Sequence, residues 1–150
     1  MNDSLIIQHS EEEWKEILTP GQYLALRKNG TERPFTGKYY HHHQKGIYSC
    51  SACGNPLFTS EMKFDSPHGW ASFDRELKGE RIITRIDNSF GNMRTEILCG
   101  KCDSHLGHLF IDPTTLTGKR YSVNSVCLDF HKSEGRRTVI PKQRLTSKSR

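Results

Sequence analysis

The chain lacks any apolar run long enough to cross a membrane, and it has few apolar residues overall. Hydrophobic residues make up 33% of its 150 residues, and the mean hydropathy is −0.72. A spanning helix requires about 20 predominantly apolar residues, so no membrane segment is expected. The first residues also lack a basic stretch followed by an apolar one, so no secretory signal is expected. We therefore expect a cytoplasmic protein without a membrane partner.

Negative charge is missing from the end of the chain, where the net charge of +5 originates. The last 15 residues carry six basic side chains and no acidic one, and the rest nearly balances. Such a tail can contact nucleic acid, but it is more commonly a solvated end. The length suits one domain. We expect a helical cap at about 10–29, a β core at about 35–132 and a basic tail at 133–150.

Cysteine is scarce, but four of the five cysteines form two Cys-x-x-Cys pairs, Cys50 with Cys53 and Cys99 with Cys102. This spacing lets both thiolates of a pair face one ion, and four thiolates complete the tetrahedral shell of a structural zinc. Two disulfides or a thioredoxin-like redox motif are the alternatives. Disulfides need an oxidising compartment, and a redox motif does not need a second pair. The sequence therefore predicts one structural zinc ion per chain.

The sequence predicts two short N-terminal helices followed by strands. Residues 10–13 form a capping box, and residues 19–22 repeat it with Pro20 at the first helical position. The second helix should end at Asn29–Gly30. The residues expected on the buried stripe of the first helix are Trp14, Ile17 and Leu18.

The rest of the chain is typical of short strands and loops. Strands are predicted at Arg81–Ile86 and Met93–Leu98, and the longest at Tyr121–Phe130. Helices followed by short strands indicate a mainly β domain with an N-terminal helical cap. On one continuous strand, Ser122 and Asn124 would share a face about 7 Å apart, and Cys127 would face the other side.

Three clusters, at residues 68–73, 105–110 and 120–125, do not fit ordinary core patterning. Each has a structural interpretation: hydrogen-bonded or additional metal-ligating histidines, a core tryptophan, and polar strand residues. The run His41–His43 is expected to be an exposed loop without a metal role.

Considered together, these motifs resemble the type-B methionine sulfoxide reductases, over roughly Trp14 to Phe130. The motifs that carry the resemblance are residues 32–39 (ERPFTGKY), Gly46-Ile47-Tyr48, Gly69-Trp70 with Ser72-Phe73, His105-Leu106-Gly107-His108, and Arg120-Tyr121 with Asn124-Ser125. The fold that it implies is two antiparallel sheets in a β-barrel-like arrangement, with the zinc remote from the active site.

The resemblance implies reduction of methionine-(R)-sulfoxide in proteins or peptides by a cysteine thiolate, which belongs at position 122. Here the residue is Ser122. The other implied roles are these: Trp70 receives the S-methyl group, His105 and His108 bind and help protonate the oxygen, Asn124 hydrogen-bonds in that network, Arg120 favours the ionised nucleophile, and Phe110 lines the pocket.

Two departures from the family pattern affect the expected activity. Because oxygen is a poor substitute for a thiolate, we predict that the chain binds methionine sulfoxide but hardly reduces it. An engineered Cys→Ser change is favoured over a natural inactive or diverged member. His68 replaces the usual resolving cysteine, and Cys127 is expected to be a buried structural thiol. A thioredoxin-like reductant is the implied partner.

The sequence disfavours two other functions. A zinc-ribbon module that binds nucleic acid would usually have a shorter spacer between its cysteine pairs, about 15–20 residues, and would leave Trp70 and the histidines without a task. A serine hydrolase is disfavoured because no carboxylate in the motifs is placed to orient either histidine.

Overall fold

The structure is a computed structural model that describes residues 7–89 and 91–133. Two helices, α1 (Glu11–Ile17) and α2 (Pro20–Lys28), precede the strands. The strands of the described residues are β1 (Gly46–Cys50), β2 (Pro56–Thr59), β3 (Lys63–Phe64), β4 (Ala71–Phe73), β5 (Ile82–Asp87), β6 (Arg94–Cys99), β7 (His105–Ile111), β8 (Lys119–Val123) and β9 (Leu128–Lys132). The expected basic tail, apart from Ser133, lies outside the described residues.

Both predicted capping boxes form. The Ser10 hydroxyl accepts the Glu13 N–H at 3.1 Å, and the Glu13 carboxylate accepts the Ser10 N–H at 2.8 Å. Thr19 and Gln22 make the same reciprocal pair at the start of α2. Helix α2 ends at Asn29, which adopts a left-handed conformation with φ 59°. Local sequence chemistry therefore sets the helix boundaries.

The buried stripe of α1 differs from the prediction at one position. Trp14 and Leu18 are buried, whereas Ile17 is 56% exposed. The helix has only seven residues and contacts the core along a narrow stripe, so Ile17 faces away. The Arg27 guanidinium of α2 lies 4.6 Å from the Trp14 ring.

The strands form two antiparallel sheets, as the resemblance implies. One sheet has the order β2-β1-β9, and the other has the order β3-β4-β8-β7-β6-β5. Phe58 of β2 stacks on Phe73 of β4 with ring centroids 4.0 Å apart, so the core lies between the sheets. The mainly β fold class is confirmed. No helix in the described part of the chain is long and apolar enough to span a membrane.

The predicted long strand Tyr121–Phe130 is wrong. Strand β8 ends at Val123, a 3-10 turn occupies Ser125–Cys127, and β9 joins the other sheet. The Cys127 N–H donates to the Asn124 carbonyl at 2.9 Å, which closes the turn. The chain changes sheets here, so strand parity cannot relate Ser122 to Asn124 or Cys127.

Candidate active site and four-cysteine cluster

A β-bulge in β7 brings the two motif histidines to one face of the sheet. Ile97 of β6 pairs with Gly107, whereas the next residue of β6 pairs with His105. Leu106 is therefore the extra residue, and the alternation of side chains changes there. Without the bulge, His105 and His108 would lie on opposite faces, because they are an odd number of positions (three) apart along the strand. In the structure their ring centroids are 5.5 Å apart.

The close approach of β7 and β8 requires a glycine between the histidines. A Cβ at Gly107 would lie 1.9 Å from the Ser122 carbonyl oxygen, a distance that no side chain can adopt. This approach sets His108 directly opposite Ser122, and Glu96 of β6 directly opposite His108. Residues directly opposite each other in an antiparallel pair point to the same face. Ser122, His108 and Glu96 therefore form one row across the sheet.

Each histidine is paired with a carboxylate that the sequence did not suggest. His105 Nδ1 lies 2.6 Å from Glu96 Oε2, and His108 Nε2 lies 2.8 Å from Asp87 Oδ2. The motifs themselves hold no such carboxylate, as expected, but two carboxylates from outside the motifs orient the histidines. Glu96 and Asp87 lie outside the motifs, and strand pairing brings them close. The available signal was Glu96 itself, a charged residue within the predicted strand Met93–Leu98.

The two pairs carry different electrostatics. Burial lowers the pKa of His105, while the hydrogen bond to Glu96 acts against that shift. The hydrogen bond from His108 holds the pKa of Asp87 below its usual range. With Nδ1 held by Glu96, His105 Nε2 is buried and has no hydrogen-bond partner among the described residues. A buried polar atom without a partner is costly, so this nitrogen is available to a bound ligand.

Trp70 and Asn124 are linked through the backbone of Glu32. The indole N–H of Trp70 donates to the Glu32 carbonyl at 3.1 Å, and the Glu32 N–H donates to Asn124 Oδ1 at 3.0 Å. Asn124 Nδ2 donates to the Leu106 carbonyl at 3.2 Å. Gly69, with φ 101°, turns the chain immediately before Trp70. The indole is only partly buried, unlike a typical core tryptophan.

Ser122 is buried, and its side chain is not part of a catalytic triad. Among the described residues, no hydrogen bond joins its hydroxyl to either histidine; His105 and His108 are held by their carboxylates. A serine hydrolase needs that bond, so the carboxylates of Glu96 and Asp87 do not support the serine-hydrolase alternative.

Arg120 and Phe110 lie beside this row. Arg120 Nε is 3.1 Å from Asp112 Oδ2, and its guanidinium lies 4.6 Å from the Phe110 ring. The Phe110 ring centroid is 6.4 Å from that of His108. The charge of Arg120 is therefore shared with a carboxylate rather than directed at position 122 alone.

Cys127 and His68 occupy contrasting environments. Cys127 is fully buried, and its thiol donates to the His105 carbonyl at 3.4 Å. Burial raises the pKa of the Cys127 thiol, so it is a poor nucleophile. His68 is exposed in the segment before Trp70.

The four paired cysteines form one cluster. Their sulfurs all lie within 4.8 Å of one another, with Cys50 and Cys102 at 3.7 Å and Cys53 and Cys99 at 3.6 Å. Four sulfurs about 2.3 Å from a tetrahedral ion would be about 3.8 Å apart, so the cluster fits one metal ion. A disulfide requires a sulfur–sulfur distance of about 2.05 Å, and all five cysteines are free.

The surroundings of the cluster suit thiolate ligands. The Cys99 sulfur accepts hydrogen bonds from Asn55 Nδ2 at 3.5 Å and from the Lys101 N–H at 3.4 Å. Arg27 of α2 donates to the Cys102 carbonyl at 2.9 Å. The helical cap therefore packs against the cluster.

Comparisons with known proteins point to one family. A family model described as "SelR domain" matches residues 18–132. The chain is 51% identical over 128 residues to a "Peptide methionine sulfoxide reductase MsrB" of Methanosarcina mazei, covering 85% of this chain and 91% of that protein. It is 54% identical over 129 residues to the protein of the same name in Chromohalobacter salexigens, covering 85% and 97%. A Synechococcus protein of that name is 52% identical over 124 residues, covering 83% and 91%.

Proposed function

We propose that the site binds methionine-(R)-sulfoxide in proteins or peptides, because this chain belongs to the SelR-domain family of MsrB peptide methionine sulfoxide reductases. The observation that carries the proposal is the buried Nε2 of His105, which has no partner among the described residues. In the imidazolium form this nitrogen donates a hydrogen bond, and a sulfoxide oxygen is a strong acceptor. The substrate supplies the partner that the protein does not.

The remaining residues divide into contacts and supports. Trp70 forms the wall against the S-methyl group, and its partial exposure suits that position. His108 assists proton transfer to the oxygen beside His105. Asn124 acts as a positioning residue, because both ends of its amide are bonded to backbone groups. Phe110 lines the pocket next to His108.

Reduction of the sulfoxide requires a sulfur nucleophile at position 122. A cysteine thiolate there attacks the sulfoxide sulfur and forms a sulfur–sulfur bond, while the sulfoxide oxygen takes a proton from the histidines. The resulting hydroxyl passes from the substrate sulfur to the cysteine sulfur as the sulfur–sulfur bond breaks, and methionine leaves. The cysteine keeps the oxygen as a sulfenic acid, so its sulfur is oxidised by two electrons as the substrate is reduced by two. Arg120, although paired with Asp112, adds positive charge near this position and favours the thiolate.

Ser122 cannot take the place of that thiolate. Accepting oxygen would convert the serine hydroxyl to a hydroperoxide, and an alcohol is hardly ionised near neutral pH. We therefore propose that the chain as written binds substrate and reduces it very slowly. An engineered Cys→Ser change explains the intact surroundings best, and a natural sulfoxide-binding pseudoenzyme is the alternative.

Zinc is the proposed ion of the cysteine cluster, one per chain. Four thiolates in a tetrahedral arrangement are the donor set typical of structural zinc. This role holds Cys50, Cys53, Cys99 and Cys102 out of redox chemistry. The absence of disulfides among the described cysteines also suits the reducing cytoplasm that we propose as the location.

Recycling of the sulfenic acid depends on an external reductant. Cys127 is fully buried and bonded to the His105 carbonyl, and position 68 holds a histidine rather than a cysteine. We propose that a small dithiol protein of the thioredoxin type, or a small thiol, reduces position 122 directly when it is cysteine.

Restoring the sulfur tests the function. The Ser122→Cys variant should reduce a peptide carrying methionine-(R)-sulfoxide with dithiothreitol, faster than the chain as written by at least about a thousandfold. A Ser122→Ala variant should bind the peptide and remain inactive. If Ser122→Cys folds, binds one zinc and still shows no reduction of the R epimer, the assignment of position 122 is wrong.

The zinc-ribbon alternative predicts a different outcome. Binding to DNA that weakens steeply with salt would support it. Protection against thermal unfolding by methionine-(R)-sulfoxide peptide, but not by the S epimer, would support the reductase site.

A further inference from the structure

In the run His41–His43, to which the sequence assigned no metal role, the expected exposure holds for His41 and His43, whereas His42 is partly buried. The two exposed histidines lie against a carboxylate from another segment. His43 Nε2 is 3.2 Å and His41 Nδ1 is 3.6 Å from the same oxygen, Asp65 Oδ2. His42 turns the other way, and its Nδ1 lies 2.7 Å from the Tyr48 hydroxyl. The run therefore presents two imidazoles to Asp65 and one to the protein interior.

These three groups have the composition of a metal site. We propose that His41, His43 and Asp65 bind a divalent transition metal ion such as zinc, separate from the cysteine cluster. Two neutral imidazoles and one carboxylate form a donor set that suits transition metal ions better than it suits Mg²⁺ or Ca²⁺, which prefer oxygen ligands. The fourth position of the ion faces solvent, since the three side chains are 67%, 67% and 40% exposed.

The distances match the coordination geometry. A tetrahedral ion about 2.0–2.1 Å from each nitrogen and oxygen needs ligand atoms about 3.3 Å apart. The observed 3.2 and 3.6 Å lie on either side of that value, and all three ligand atoms are within 4.8 Å of one another. An ion can therefore enter with only small side-chain movements.

Lys63 fixes the two segments that supply the ligands. Its ammonium donates to the Tyr40 carbonyl at 2.8 Å and lies 3.6 Å from Asp65 Oδ1, the oxygen that the histidines do not contact. The Tyr40 hydroxyl in turn donates to the Ser66 carbonyl. Oδ2 is left for the ion, and the backbones on both sides are held before it binds. The charge of Lys63 opposes a cation, so the affinity should be moderate rather than that of a buried zinc site.

The site would connect two parts of the molecule. The loop at 39–43 supplies both imidazoles, while Asp65 begins the segment 65–70 that leads to Trp70. A bound ion would clip this loop to that segment. Metal binding itself does not depend on the proposed reductase function.

The test uses the full chain already loaded with one zinc at the cysteine cluster. Titration with zinc chloride, followed by calorimetry, should show a second equivalent bound. Asp65→Asn, His41→Gln and His43→Gln should each weaken that second site by about tenfold or more. His42→Gln is the matched control, since it removes a histidine from the same run without touching the ligands, and it should leave the second affinity unchanged.

Cobalt(II) added to the zinc-loaded chain identifies the donor atoms. The second ion should give visible bands of nitrogen and oxygen ligation without thiolate charge-transfer absorption. Saturation at one equivalent would overturn the proposal, and so would equal losses in His42→Gln and Asp65→Asn. Thiolate absorption from the second ion would place it at the cysteines instead. Circular dichroism of each variant checks the fold, which the substitutions at the exposed His41, His43 and Asp65 should preserve and which must also be intact in the partly buried control His42→Gln.

Discussion

At the residue scale, His105 lies between two opposing influences. Burial lowers its pKa and favours the neutral ring, while the adjacent Glu96 carboxylate favours the imidazolium. The charge of His108 acts with burial, and that of Asp87 acts with Glu96. Only the imidazolium carries a proton on Nε2 once Nδ1 donates to Glu96. The Glu96 carboxylate therefore sets the highest pH at which His105 is still protonated and can donate a hydrogen bond to a substrate oxygen.

Replacing Glu96 by Gln should move the pH range of substrate binding. Without the carboxylate, the pKa of His105 falls further, so the protonated form is lost at a lower pH. Binding of a methionine-(R)-sulfoxide peptide should be tight at acid pH and weaken by about ten- to a hundredfold as His105 deprotonates, the value of one charged hydrogen bond. Calorimetric Kd values across pH should show this loss beginning at lower pH in Glu96→Gln.

Arg85→Gln is the control for that change. Arg85 contacts the other oxygen of Glu96 at 3.3 Å but is 54% exposed, so its removal should shift the profile little. An unchanged profile in Glu96→Gln would mean that Glu96 does not control His105. If the pH profile of peptide binding shifted more in Arg85→Gln than in Glu96→Gln, the conclusion would be the same.

The sequence could identify the histidines but not their carboxylates. Glu96 is 9 residues from His105, and Asp87 is 21 residues from His108. Neither spacing has a meaning until β5, β6 and β7 are paired in register. Ser122, by contrast, could be located from the motif around it, and the structure sets it directly opposite His108.

At the element scale, the bulge in β7 and the glycine beside it shape the site. The capping boxes were predictable because their hydrogen bonds join residues three positions apart. The bulge was not predictable, because it depends on how β6 pairs with β7. The turn at Ser125–Cys127 is not predictable from the sequence for a related reason: the buried Ser125 hydroxyl accepts the Tyr39 N–H of a distant loop at 3.1 Å. Tertiary contacts there override strand propensity.

Gly107→Ala should destabilise the fold and separate β7 from β8. The new methyl group would meet backbone atoms of Ser122 at 1.9 and 3.0 Å, and backbone cannot move aside as a flexible side chain can. We expect a loss of about 1–3 kcal/mol or more in the free energy of unfolding, measured by urea denaturation of the zinc-loaded protein.

Gly21→Ala provides the matched control within the same chain. Gly21 lies in α2, and a Cβ there would meet nothing within 4 Å. The same substitution should be neutral or stabilise by up to about 1 kcal/mol, because alanine favours the helix. Equal effects at the two glycines would show that the close approach of β7 and β8 does not require Gly107.

At the scale of the whole molecule, the cysteine cluster joins parts that are far apart in the chain. Cys50 ends β1 of the three-stranded sheet, and Cys99 ends β6 of the six-stranded sheet. Arg27 adds the helical cap through its bond to the Cys102 carbonyl. The spacing of the cysteines predicted the cluster, but only the strand order reveals that one ion would tie the two sheets together. With a third of the residues hydrophobic, such a link would make up for part of a larger core.

Loss of one ligand should therefore weaken the whole fold rather than one loop. Cys99→Ser should bind less than half an equivalent of zinc, and its Tm should fall by about 10 °C or more, which corresponds to several kcal/mol for a chain of this size. Zinc analysis by atomic emission and calorimetric melting measure both effects. Cys127→Ser tests whether any buried cysteine would do the same: Cys127 is outside the cluster, so that variant should keep a full equivalent of zinc. A Cys99→Ser protein that retains full zinc and an unchanged Tm would show that the two sheets hold together without the ion.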